Sequence, residues 1–199
     1  MVLIITYYKE KNMYHRNNSE QTCTNPEQLH IINTFRRLWD EHVVWTRSFV
    51  ISSILELPDL QPVTKRLLRN PADFEKALRP FYGNSASKYA QLLTEHLLIA
   101  AALVDAAKAH NTNEYNRQRR LWFENAEMIA KFMAAVNPYW KQNEWRDMMF
   151  EHLELLETEV VQILSHEYEK GVAQFDLVQA QALEMGDMMA EGIIRQFRI

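Results

Sequence analysis

Long stretches of this 199-residue chain place apolar side chains at helical spacing with no proline or glycine to interrupt them, and that pattern constrains the fold more than any motif does. Proline occurs six times and glycine four, too few for a turn-rich β protein and suited to long helices. The prolines stand at 26, 58, 62, 71, 80 and 138, where the apolar period also lapses. All-α is therefore the first inference.

The breaks divide the chain into helices. Asn25 is placed to cap a helix with Pro26 at its first position and Gln28 three after the cap, followed by Phe35, Leu38, His42, Trp45 and Phe49 at helical spacing over about 26–56. "LPDLQP" interrupts it. A short helix near 62–69, a further turn or two from Asn70-Pro71, and a connection from Pro80 through Gly83 and Asn84 read as a crossover outside the core. The stretch 85–110, with Tyr89, Leu92, Leu93, Ile99, Ala100 and Leu103 in one stripe, predicts the most buried helix. A third long helix follows "NTNE" and runs to about Val136, lined by Trp122, Ile129 and Met133. A fourth covers about 144–168. A last break at Lys170-Gly171 precedes a fifth helix to about Gln196, with Val178, Met185, Met188 and Met189 facing inward. An antiparallel four- to five-helix bundle over residues 26–199 follows, behind a flexible tail at 1–25 whose residues 13–25 are polar. Glu95-His96-Leu97, Val104 and His110 recur as Glu151-His152-Leu153, Val160 and His166, which suggests two similar helical hairpins added to the N-terminal helix.

Bulk properties narrow the function classes. A net charge of −4 with scattered Lys and Arg lacks the concentrated basic face that phosphate binding needs, so no nucleic-acid partner is expected. The single Cys23 precludes an intrachain disulfide, argues against a Cys-based zinc site within one chain, and suits the cytoplasm. The opening residues form neither a convincing signal peptide nor a membrane span, and Met13 is a candidate start. A homodimer and an unidentified small-molecule substrate are both compatible with such a chain.

One dipeptide stands out. Glu-His occurs three times, as Glu41-His42, Glu95-His96 and Glu151-His152, each inside an apolar run. Residues seven apart on a helix differ by about 20° in direction, so Trp145, His152, Glu159 and His166 share one strip with Met149, Leu156 and Ile163. His42 and His96 are flanked by apolar residues in the same way. Three histidines on three helices are thus expected to point into the bundle, with each preceding Glu on the border of the buried face and Glu95 the deepest. An unpartnered carboxylate in a core costs several kcal/mol and a neutral imidazole still needs its N–H satisfied. A divalent metal relieves both, because ionised Glu and neutral His are its ligands. Candidate ligands are His42, His96, His152 and Glu159, with Glu41, Glu95 and Glu151 as further ligands or supports, and iron, manganese or zinc as the metal. The competing interpretation is a metal-free interaction or scaffold protein in which buried Glu and His form a hydrogen-bond network. Asn125 is a candidate polar lining residue. Arg47 fits either a place near the site or an ordinary ion pair.

The segments "EWRDMMFEHLELLETEVV" (144–161) and "KYAQLLTEHLLIAAALV" (88–104) resemble the Glu-His helices of a bacterial family of ferritin-like bundles widespread in spore-forming bacteria, whose motif reads approximately W-x-x-x-M-x-E-H. That resemblance implies a ferritin-like helical fold and metal binding at Glu95, His96, Glu151 and His152. The chain departs from the paired Glu-x-x-His motifs of ferritin-like di-iron sites, having that spacing only at Glu27 to His30. Three inward histidines also resemble the single-metal site of three-histidine, thiol-transferase-type bundles, though none of these lies one turn from another on the same helix.

Overall fold

The computed structural model describes residues 25–199, and every regular element among them is helical. Seven helices follow in order: α1 (Pro26–Ile54), α2 (Leu60–Leu67), α3 (Asn70–Tyr82), α4 (Ser85–Lys108), α5 (Thr112–Val136), α6 (Gln142–Leu164) and α7 (Tyr168–Phe197). The expectations for the N-terminal tail, Met13 and Cys23 lie outside the described residues. Asn25 caps α1 as its position predicts: its side chain accepts from the Gln28 N–H at 2.7 Å, and the Gln28 side chain returns the bond. Asn111 caps α5 by accepting from the Glu114 N–H at 3.1 Å.

The helices close on themselves in a bundle. α1 packs on α7, α7 on α6, α6 on α5, α5 on α4, α4 on α3, and α3 with α2 returns to α1. Two apolar clusters fill the interior. The larger holds Trp39, Phe74, Tyr89, Trp122, Trp145 and Met189, and a smaller one at the far end gathers Phe49, Leu67, Leu97, Val104 and Val160. α4 is apolar and long enough to cross a bilayer by composition, a signature that the core helix of a water-soluble protein shares. Here Tyr89, Leu92, Leu93, Leu97 and Leu103 on it are buried against neighbouring helices.

Three expectations are corrected. The stretch from residue 60 to 82 is no crossover outside the core, because Val63, Leu67, Phe74 and Leu78 are buried, Phe74 completely. Two short amphipathic helices occupy the place one long helix would take, and Pro80 sits in the last turn of α3, which forgoes the one helical bond that its missing N–H would make. The break before the last helix falls at 165–167, not at Lys170-Gly171. Gly171 lies within α7, buried, with its carbonyl accepting from Arg47 at 3.1 Å. His166 does not face the core, although it shares a helical strip with His152: the helix ends first, and His166 is exposed in a left-handed conformation (φ 59°).

That helix end is one of three alike. Glu56, His110 and His166, each fourteen residues after one of the inward histidines, all have positive φ. In each case the next residue's N–H bonds a carbonyl five residues back: Leu57 to Ser52 at 2.9 Å, Asn111 to Ala106 at 3.0 Å, and Glu167 to Gln162 at 2.8 Å. This is the Schellman stop, here built without glycine. The repeat legible in the sequence as two hairpins therefore has a third member, in which α1 is followed by the broken helix α2–α3.

Candidate functional site

His42, His96 and His152 come from α1, α4 and α6, and each is at most 1% exposed. Every one meets a side-chain amide on a later helix, His42 on α3, His96 on α5 and His152 on α7. The His42 Nδ1 lies 3.1 Å from Asn70 Oδ1, the His96 Nδ1 2.9 Å from Asn125 Oδ1, and the His152 Nδ1 3.0 Å from Gln181 Oε1. The amide nitrogens are also committed, and in one pattern. Asn70 Nδ2 donates to the Leu38 carbonyl at 3.0 Å, Asn125 Nδ2 to Leu92 at 3.2 Å, and Gln181 Nε2 to Met148 at 2.9 Å. Each acceptor is the residue four before the histidine, one turn back on the same helix.

This arrangement fixes the chemistry of the rings. Only the NH2 end of an amide can donate to a carbonyl, so the amide oxygen must face the imidazole, and an oxygen there requires Nδ1 to carry the proton. In the neutral ring Nε2 is then a bare lone pair. For His96 and His152 that nitrogen is buried without a hydrogen-bond partner. The rings of His42 and His152 are 5.7 Å apart and tilted by 42°, with Trp39 edge-on to both at 5.4 and 6.0 Å. His96 packs on Trp122 at 5.3 Å.

Burial dominates their titration. It pushes His42 down to about 4 against the favourable Asn70 bond, and His96 down to about 3, helped by the charge a protonated His42 would carry. His152 is driven well below the ordinary imidazole range by burial and then by the charges of the other two. All three are neutral at physiological pH.

The carboxylates are placed elsewhere. Glu41 is half-buried and receives Arg37 at 2.6 Å and Arg66 at 2.8 Å; burial opposes its charge, but the two guanidiniums overcome that and hold its carboxyl below the usual range. Glu95, expected to be the deepest, is half-buried and accepts from Gln91 at 3.3 Å. Glu151 is exposed. Glu159 is buried, but two turns beyond His152 and paired with Arg47, whose guanidinium also lies 4.8 Å from the Phe175 ring centroid. Burial raises the Glu159 carboxyl in spite of that partner. The residues brought together are thus the three histidines and three amides. Asn125 was legible as a polar lining residue. Asn70 and Gln181 were not, although the interval of 28 or 29 residues from each histidine to its amide was present in the sequence.

Among the described residues no group of three His, Cys, Asp or Glu side chains is close enough together to hold a metal ion as placed. No protein-family model, curated protein or solved structure matches the chain. The likeness to ferritin-like Glu-His bundles therefore rests on its own residues.

The amides carry a direct test. Asn125→Leu removes the acceptor of the His96 Nδ1–H and the donor to the Leu92 carbonyl, leaving two buried polar groups unpaired at about 1–3 kcal/mol each. We expect a loss of about 3 kcal/mol in urea unfolding and partial recovery in Asn125→Gln; a loss below about 0.5 kcal/mol in Asn125→Leu would show the network to be incidental.

Proposed function

We propose that the protein is a metal-binding helical bundle in which Nε2 of His42, His96 and His152 holds one divalent ion, iron, manganese or zinc. The observation that carries this reading is the threefold imidazole–amide–carbonyl device, which at His96 and His152 presents a buried lone pair with no protein donor to meet it. A histidine kept only for packing would have both nitrogens satisfied, whereas a metal ligand has its far nitrogen anchored and its near nitrogen bare. Loading requires the rings to draw closer, with the His42–His152 pair already nearest. Asn70, Asn125 and Gln181 orient the ligands in the role sequence reasoning gave to Glu41, Glu95 and Glu151, and Glu159 serves the ion pair with Arg47. An antiparallel order of the helix pairs, ferritin-like in placing ligands from several helices at one centre, belongs to the same reading.

Three neutral ligands leave the charge of a divalent ion uncompensated by the protein, so a bound ion would supply Lewis acidity or redox chemistry toward water, a thiol or dioxygen at its remaining positions. The chain's part is to hold three protons at Nδ1 and to surround the centre with Trp39 and Trp122.

Elemental analysis of the untagged protein, beside His96→Ala/His152→Ala, tests the reading. We expect close to one ion per chain in the parent and none in the double variant, with helix content by circular dichroism confirming that the variant folds. A stoichiometry near zero after metal-supplemented growth would overturn it.

A second reading is favoured by the same bonds: each imidazole and its amide tie two helices in fixed register, and a scaffold or interaction protein needs no ion to use them. Under that reading a chelator leaves the melting temperature unchanged.

A further inference from the structure

A cavity of about 30 Å³ lies where the two apolar clusters meet, lined from both. Its position follows the repeat. Thr46, Ala100 and Leu156, each one turn beyond an inward histidine, form its near wall, and Val50, Val104 and Val160, one turn further, form its far wall. Trp122, packed against His96, closes a side. The cavity therefore begins one turn beyond the three imidazoles, on the C-terminal side of their own helices, with no imidazole in its wall.

Its walls decide what can occupy it. The volume exceeds the roughly 10–15 Å³ that one water needs, but a buried water also needs two to four polar partners. The Thr46 hydroxyl donates its hydrogen to the His42 carbonyl at 2.7 Å and keeps only acceptor capacity. Glu157, at the margin, holds Tyr115 at 2.5 Å and Arg119 at 2.6 Å on its Oε1. Only the Trp122 indole N–H lacks an acceptor. Almost all of the surface that the wall presents is hydrocarbon, and a mostly apolar cavity of this kind favours apolar guests over water.

We propose that this cavity takes up a neutral apolar diatomic molecule of the dioxygen class beside the three histidines. Its consequence for chemistry rests on the metal reading, since an ion at the imidazoles would have its apolar co-reactant stored one turn away. Binding of the gas needs no ion, so the two ideas fail separately. The chamber also gives a reason for the small Ala100 in the layer where the other two helices carry Thr46 and Leu156: a larger side chain there would fill it.

The test uses metal-free protein with labelled methyl groups, with nuclear relaxation measured under a few bar of dioxygen and again under nitrogen. Because dioxygen is paramagnetic, the methyls of Val50, Val104, Leu156 and Val160 should relax at least about twice as much as equally buried methyls such as Leu93 and Ile193. Ala100→Leu should abolish the difference. Uniform enhancement across all buried methyls would overturn the proposal, as would a magnetisation-transfer signal from water to the chamber methyls. Should Ala100→Leu fail to fold, xenon pressure on the parent protein decides, with shifts confined to the same four residues expected and an absence of shifts refuting the chamber.

Discussion

Metal-free protein taken from pH 7 to pH 5 is expected to lose about 4 kcal/mol of stability through His42 and His96, with His152 acting in the same direction, and to unfold cooperatively on further acidification. Unfolded imidazoles take a proton near 6.5, whereas in the folded state His42 holds off until about 4 and His96 until about 3, with His152 also well below the ordinary range. Between those limits the unfolded chain binds protons that the folded chain refuses. Stability is therefore full above 6.5 and falls as the pH drops toward the folded values, at about 2 kcal/mol each for His42 and His96 by pH 5, with His152 adding in the same direction. A domain at the lower end of ordinary stability, about 5 kcal/mol, has little left at that point. The Glu159 carboxyl works the other way, because its raised folded value favours the folded state on acidification, but it is one group against three. An acid titration followed by tryptophan fluorescence and circular dichroism checks this. His42→Gln should move the midpoint to lower pH, and a bound ion, which competes with protons for the same nitrogens, should do likewise until a chelator removes it. A free energy of unfolding that stays level between pH 7 and pH 5 would contradict neutral burial of the triad.

The second large effect is expected at Gly186. A Cβ there would stand 2.8 Å from the Arg36 Cα and 2.9 Å from its backbone nitrogen, so α1 and α7 approach more closely than any side chain on that face allows. Backbone cannot swing aside as a side-chain tip can. Gly186→Ala must push two of the longest helices apart, at about 3 kcal/mol, even though alanine is intrinsically better in a helix by about 1 kcal/mol. Guanidinium unfolding measures the loss, and a change smaller than about 0.5 kcal/mol would mean that the helices yield freely. Gly192 is closed off differently, by the Trp140 indole, which donates to the Met188 carbonyl at 3.2 Å.

Much of the fold was legible because helices are specified locally. The cap at Asn25, the stop after Val136 and the stripes through Leu92, Trp122 and Met185 need only propensity and a period of 3.6, and the structure reproduces them. The errors share a cause. Gly171 read as a break because glycine is a poor helix former, but a helix end needs a residue that leaves the helical conformation, and the exposed His166 does so instead. The stretch 60–82 read as a crossover because its prolines shorten its helices, while its apolar residues still found a core to enter.

The same division runs through the site. Spacing along each helix alone determined that His42, His96 and His152 face inward, since a helix fixes the direction of its own side chains. Which groups satisfy those rings depended on the neighbouring helices. A carboxylate one residue before a histidine lies 100° away on the same helix, where Glu41, Glu95 and Glu151 reach Arg37 and Arg66, Gln91, and solvent. Amides 28 or 29 residues later return on a later helix to the height of the ring, and packing sets that height. Direction is a local property of the chain, which the sequence determines by itself; partnership is a property of two helices in register, and only the tertiary structure decides it.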